Sequence, residues 1–204
     1  MSLFITFEGG EGSGKSYQAE ALYKKLAGLA IPAILTHEPG ATPLGDKITR
    51  WLKWGRDINI SPMSELLLFN ASRAQLVAEV IRPALEEGKV VICDRYADST
   101  VAYQSYGRGL DLARVLVVNA AAMQGVLPNL TILMDLPVEV GLTRKKDKKP
   151  DRFEQETLAF HRRVRDGYLK LAKSEPKRWL IIDATQSRAK ITGIIWKKVS
   201  QLIP

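Results

Sequence analysis

Apolar residues along this chain gather into two kinds of stretch. Five are short, continuous and rich in β-branched residues: Leu3 to Phe7, Ala33 to Thr36, Val90 to Cys93, Leu130 to Met134 and Trp179 to Ile182. Each is followed by a loop signal and reads as a buried strand. Between them lie longer helix-like stretches: Lys15 to Ala27, Ser61 to Glu87, Leu110 to Met123, Val138 to Lys146, Gln155 to Lys173 and Ser187 to Gln201. The longest opens on Ser61 as N-cap with Pro62 at the first helical position, and Gly88 stops it. Pro83 is expected to kink it near its end. Strands alternating with helices predict an α/β fold, a parallel sheet covered by helices on both faces.

No tandem repeat or Gly/Ser linker interrupts the pattern, and 204 residues suit one compact domain, 1–204. No apolar run approaches the ~20 residues that span a bilayer, so no membrane partner is expected. The first strand runs straight into a glycine loop, unlike a signal peptide. The single cysteine, Cys93, cannot form an internal disulfide, which suits a cytoplasmic protein. Thirty Lys and Arg against 22 Asp and Glu give a net charge of +8. That excess suits a nucleotide or nucleic acid, and equally a solvated basic surface.

Chemistry enters at Gly9-Gly10-Glu11-Gly12-Ser13-Gly14-Lys15-Ser16, which satisfies G-x-x-x-x-G-K-[ST] between an expected strand and an expected helix. Glycines let successive backbone N–H groups turn toward phosphate oxygens, and the helix N-terminus adds positive potential. Lys15 is expected to reach the β- and γ-phosphates of ATP, and Ser16 to ligate Mg2+. Asp94 ends the third strand beside that loop, a second candidate for the magnesium shell. Arg95 follows it, where a guanidinium can grip an acceptor phosphate. Asp135 also ends a strand and reads as structural. His37 at a strand end and His161 on an expected helix surface carry no assigned role. Trp51, Trp54, Trp179 and Trp196 read as packing or interface residues.

Several further segments, in series, resemble the thymidylate kinase family. His37-Glu38-Pro39-Gly40-Ala41-Thr42 is similar to its Arg-Glu-Pro-Gly-Gly-Thr segment. Asp94-Arg95-Tyr96 with Ser99-Thr100-Val101-Ala102-Tyr103-Gln104 resembles its Asp-Arg-Tyr…Ser…Ala-Tyr-Gln signature, and Leu67 to Gln75 its thymine-pocket helix. The resemblance implies a P-loop kinase fold with a five-stranded parallel sheet and a mobile lid. It implies transfer of the γ-phosphate of ATP to dTMP, Mg2+ as cofactor, and a homodimer. Lys15, Arg95 and Glu11 would be the catalytic set, with Glu11 holding the sugar 3′-hydroxyl. Glu38, Phe69, Arg73, Arg95, Ser99, Tyr103 and Gln104 would bind dTMP. Phe69 would stack on the base, Arg73 would contact it, and Tyr103 would exclude a 2′-hydroxyl.

The basic run from Arg144 to Arg152 falls in the expected lid, about 143–152, with Arg144 on the ATP side. Gly12 stands where one subfamily has a loop arginine, so the chain resembles the lid-armed type, although its lid centre offers Lys145, Lys146, Lys148 and Lys149. Where the family clamps the acceptor phosphate with an arginine this chain has Thr49, with Arg50 one residue later. One step along a helix turns a side chain by about 100°, so Arg50 is expected to be a surface residue. Two rivals stand beside this reading. A deoxynucleoside kinase would be expected to lack Glu38-Pro39-Gly40. A nucleic-acid-binding ATPase would call for an RNA-binding signature, and none is present, so no nucleic-acid partner is expected.

Overall fold

The computed structural model describes residues 2–55, 58–145 and 150–203. Five strands, β1 (Leu3–Glu8), β2 (Ala33–His37), β3 (Val90–Asp94), β4 (Leu130–Asp135) and β5 (Trp179–Asp183), form one sheet. Their order is β2-β3-β1-β4-β5, and all pair in parallel. Every strand runs one residue past its expected apolar end. The added residues are Glu8, His37, Asp94, Asp135 and Asp183. Ladder hydrogen bonds are made by the backbone, so pairing continues after the side chains turn polar. The sheet's C-terminal edge is thereby lined with ionisable groups, where ligands sit in open α/β sheets.

Alternation along β1 divides the core. Leu3, Ile5 and Phe7 pack against α1 (Lys15–Gly28) and α9 (Arg188–Val199), through Leu22, Leu26, Ile191 and Ile195. Phe4 faces the other way, joining Val91 and Cys93 under Leu76, Val77 and Ile81. Farther along that second face, Leu133 and Trp179 meet Phe160, Val164 and Tyr168 of α8 (Leu158–Ser174). Both faces are covered, the usual state of a parallel sheet.

Two helical segments are additional to the six long stretches expected, one of them the helix that carries Thr49 and Arg50. α2 (Pro43–Trp54) starts on Thr42, whose hydroxyl accepts from the Gly45 N–H at 3.0 Å, with Pro43 at its first position. A short α5 (Ala97–Thr100) runs into a π-helical stretch, Val101–Gly107. The expected long helix is present as α3 (Pro62–Leu76), a π-helical turn Val77–Ile81, and α4 (Arg82–Glu86). Pro83 has no N–H for the Glu79 carbonyl, and the rod widens into i→i+5 bonding just before it, with Arg82 N–H reaching the Val77 carbonyl. Three more helices follow the sequence reading with trimmed ends: α6 (Leu112–Met123), α7 (Val138–Thr143) and α8. α8 starts at Leu158 rather than Gln155, because Asp151 Oδ1 accepts from the Phe153 and Glu154 N–H groups and folds that segment into turns. His161 is a correction: it is buried at 4% exposure, its ring 5.5 Å from that of Phe160, and not on the helix surface. No helix among the described residues is long and apolar enough to cross a membrane.

Candidate active site

The phosphate loop leaves β1 at the sheet's centre and enters α1 without a side-chain cap. Two of its glycines are required sterically. At Gly9 (φ 140°) a Cβ would stand 2.5 Å from the Met134 carbonyl oxygen, and at Gly12 (φ 64°) 2.2 Å from that of Gly141. The loop is thus clamped against β4 and α7. Lys15 is buried, its Nζ donating to the Gly10 carbonyl at 2.7 Å and to Ser13 Oγ at 3.3 Å. Burial and the Arg95 charge lower its pKa to about 8, against the pull of Glu11, Asp94 and Glu8. An anion in the loop would restore the charge by direct pairing.

Phe7 and Asp94 are opposite each other across β1 and β3, which brings the third strand's carboxylate to the loop. Ser16 Oγ donates to Asp94 Oδ2, and the buried Asp94 Oδ1 has no partner among the described residues. A hydroxyl and a half-open carboxylate suit a hard cation such as Mg2+ that takes its other oxygens from phosphate and water. No cluster of three metal-binding side chains occurs among the described residues, as such a shared site requires none. The groove over the loop is wide, with Arg144, Lys145 and Arg188 on its walls. Arg144 donates to the carbonyls of Gly12 at 3.3 Å and Ala184 at 3.4 Å.

Beside it lies a narrower cavity. Phe69 and Phe153 (ring centroids 5.6 Å apart) and Tyr103 (6.0 Å from Phe153) form its aromatic wall. Arg73, one helical turn after Phe69, also lines it, as the spacing requires. All five N–H donors of Arg73 already have protein acceptors. Nε donates to Glu38, NH1 to Asn70 and Asn119, and NH2 to the Tyr96 carbonyl and Thr100, with Glu38 Oε2 ion-paired to NH2 at 2.7 Å. A ligand oxygen there would share one of these hydrogens. Gln104 and Ser99 also line the cavity, yet each is tied from behind, Gln104 to Glu65 at 2.7 Å and Ser99 to Glu8 at 2.6 Å.

Arg95 stands where groove and cavity meet. Its φ of 70° is a strained conformation for a side-chain-bearing residue, held by its N–H bond to the Phe7 carbonyl at 2.9 Å. Its guanidinium donates to Glu11 at 2.9 Å, Gly9 carbonyl at 3.1 Å, and Tyr103 and Tyr168 hydroxyls at 3.2 Å. Burial alone would push the Glu11 carboxyl up. The Arg95 and Lys15 charges, the Tyr103 hydrogen bond and Lys145 outweigh burial and hold it at about 2. Lys145 also bonds Glu154.

Four residues here carried no motif. Glu8 is completely buried beneath the loop, taking the Tyr96 N–H at 2.8 Å and the Tyr168 hydroxyl at 2.9 Å. Burial and the nearby Asp98 charge raise its carboxyl to about 7, against the Ser99 bond, the Arg95 charge and the Tyr96 N–H. Tyr168 and Glu65 are known only from contacts. Lys53 lines both groove and cavity, one helical turn after Thr49 and on the same side of α2. Thr49 bonds its own helix at Gly45, and Arg50 is exposed as expected. A strand-end Glu just before the loop and a Lys four residues past Thr49 were the available signals. Asp135 holds Arg165 with two bonds, 2.7 and 2.9 Å, a structural pair. Lys146, Lys148 and Lys149 of the expected lid lie outside the described residues.

Direct phosphoryl transfer between two bound molecules requires two binding spaces that share a wall, and here Glu11, Lys53, Arg95 and Lys145 belong to both. With the phosphate loop and the parallel sheet, this makes the chain a P-loop nucleoside monophosphate kinase in class. A family model described as Thymidylate kinase matches residues 7–193, so the chain belongs to the thymidylate kinase family. It is 55% identical over 203 residues to a protein named thymidylate kinase from Dehalococcoides mccartyi, covering 100% of this chain and 98% of that one. A relative of the same name from Deinococcus radiodurans is 48% identical, with 98% of each covered. The crystal structure of thymidylate kinase from Ehrlichia chaffeensis is similar with a TM-score of 0.78 and 33% identity, over 97% of this chain and 98% of that one.

Proposed function

We propose that this protein transfers the γ-phosphate of ATP to dTMP, yielding ADP and dTDP, for deoxynucleotide synthesis in the cytoplasm. The observation that carries the reading is Arg95 at the seam between the open phosphate groove and the aromatic cavity. ATP lies over Gly9 to Ser16 with Arg144 at its side, and dTMP enters the cavity with its base against Phe69. Ser16 and Asp94 would hold Mg2+, which would supply charge neutralisation to the phosphates. Lys15 and Arg95 hold oxygens of the moving group and the acceptor, so that charge spread in the transition state meets fixed cations. Glu11 stays ionised next to Arg95 and accepts from the sugar 3′-hydroxyl. Tyr103 packs under the deoxyribose, its phenol kept protonated by burial. Lys53 takes the place on the acceptor-phosphate side that Thr49 leaves empty.

The chain acts as one domain whose segment from about 143 to 152 closes over the phosphates and excludes water. A homodimer is supported by exposed apolar residues on adjacent helices, Trp51 of α2, Leu67 of α3, and Leu116 and Val117 of α6. Light scattering at micromolar concentration should give twice the chain mass. The function is tested by ADP release with dTMP, dUMP, dCMP, thymidine or DNA as the added component. Fast turnover with dTMP alone, dependent on a divalent metal, is the expected result. Turnover with thymidine would select the deoxynucleoside kinase reading, and stimulation by DNA the switch ATPase.

A further inference from the structure

Behind the cavity's polar wall lies a carboxylate on which side chains from distant segments converge. Glu65, in the first turn of α3, is 1% exposed. It accepts from Gln104 Nε2 at 2.7 Å, Arg108 Nε at 3.1 Å, and Arg152 NH2 at 2.5 Å. Both guanidiniums are themselves held from other sides. Arg108 also bonds Glu156 at 2.5 Å, and Arg152 bonds the Leu52 carbonyl at 3.0 Å and lies over the Phe153 ring. The carboxylate is therefore fixed in place before any ligand arrives.

We propose that Glu65 is a positioning residue that sets base preference by fixing which end of the Gln104 amide faces the cavity. The inference rests on the dTMP reading of that cavity and deepens it. An amide has a donor end and an acceptor end of nearly identical shape, so contacts alone decide its direction. A carboxylate only accepts. Turning Gln104 around would set its carbonyl oxygen against a Glu65 oxygen at about the 2.7 Å now spanned by the hydrogen bond, so this orientation is excluded. Gln104 is 1% exposed and lines the cavity, and no donor among the described residues reaches its Oε1. The atom presented to a base is consequently an acceptor.

An acceptor at this place selects the partner's chemistry. Thymine and uracil carry hydrogen on ring N3 and can donate to Oε1. Cytosine carries a lone pair on N3, which would oppose that oxygen, and only a reversed amide would suit it. A buried polar atom left opposing a lone pair is costly, whereas one that is paired is not. Glu65 thus determines, through one amide, that the cavity takes a base with an N3–H.

The test compares kcat/KM for dTMP and dCMP in the full-length protein. The wild type is expected to prefer dTMP by at least about a hundredfold. In Glu65→Gln the neighbour no longer dictates the amide's direction. The dTMP/dCMP ratio should fall about tenfold, with the loss of dTMP activity carried by KM and kcat held within about threefold. Glu65→Asp keeps the charge for Arg108 and Arg152 but draws the acceptor back by one methylene, so it should lower the ratio even if Glu65→Gln folds poorly. Gln104→Leu should lower the ratio by itself, and adding Glu65→Gln to it should lower it no further, since the two act through one bond. An unchanged ratio in the folded Glu65 variants, or an additive fall in the double variant, overturns the proposal. If the wild type uses dCMP as well as dTMP, the dTMP reading itself fails. If the wild type discriminates and Glu65→Gln and Glu65→Asp do too, only the orienting role of Glu65 falls.

Discussion

Two Glu–Arg pairs stand close together at the sheet's C-terminal edge, and they have been built in opposite ways. In the first, Arg73 and Glu38 are 1% and 4% exposed at their side chains, and the guanidinium spends every donor on protein. In the second, Arg95 and Glu11 are 17% and 14% exposed, and most of the Arg95 bonds are 3.1 Å or longer. The first arginine ties α3, α6 and the start of α5 together. The second sits on strained backbone with weak partners that a phosphate can replace. Every N–H of Arg73 is paired inside the fold, whereas the terminal nitrogens of Arg95 reach five acceptors, four of them at 3.1 Å or longer, and no acceptor among the described residues takes its Nε–H. Both line the aromatic cavity, and they differ in how tightly the fold already holds them.

Truncating the open pair should give the largest effect. Arg95→Ala is expected to lower kcat by roughly 10³–10⁵, as for other arginines that meet the transferring group, with little change in thermal stability. A loss below about tenfold at saturating dTMP would make Arg95 a strut as well. Arg73→Ala should reverse the order of effects. Leaving Glu38 buried without its partner is expected to cost about 3–5 kcal/mol in chemical denaturation. Normal stability with a large rise in KM for dTMP would show that Arg73 belongs with Arg95 after all.

Lys53 extends the comparison to the acceptor phosphate. Lys53→Ala should raise KM for dTMP by tenfold or more, while Arg50→Ala stays within about 0.5 kcal/mol in both stability and binding. The opposite outcome would return the clamp to Arg50 and require α2 to turn.

The smallest effect concerns the carboxylate beneath both pairs. Glu8 titrates at about 7 in the folded chain, above its ordinary value of 4.5. The folded state therefore binds this proton more tightly than the unfolded state, and the stability so contributed is full below pH 4.5 and lost as pH rises toward 7. Glu11, held at about 2, has the opposite sign: its contribution is full above pH 4.5 and is lost as pH falls toward 2. Between pH 5 and 8 only Glu8 of these two changes. Glu8→Gln should flatten the decline in unfolding free energy measured by denaturant titration across that range. An identical slope in the wild type and the variant would remove Glu8 from the account.

Much of the fold was legible because its signals are local. A run such as Val90-Val91-Ile92-Cys93, short, β-branched and flanked by loop signals, reads as a buried strand, and a glycine loop ending in Lys15-Ser16 is followed by a helix N-terminus. α2 carries its own local signal in Thr42-Pro43, an N-cap followed by a proline at the first helical position. The end of the long helix needed more than the proline rule, since widening into a π turn relieved Pro83 without a break.

By itself the sequence determined the strand cores and the phosphate loop, because each depends on neighbours a few positions away, whereas Asp94 and Arg95 come to the loop's side only through the pairing of β1 with β3. Only the tertiary structure decided what those groups do. Tyr168 reaches Glu8 across 160 positions, Asn119 completes Arg73 across 46, and Arg152 reaches Glu65 across 87. His161 is buried although Arg162 and Arg163 follow it in the sequence. Whether an arginine is a strut or a ligand, and which end of an amide faces a base, depends on how many acceptors surround it. Those acceptors come from strands and helices that meet only when the sheet has formed, so no local pattern of residues records the number.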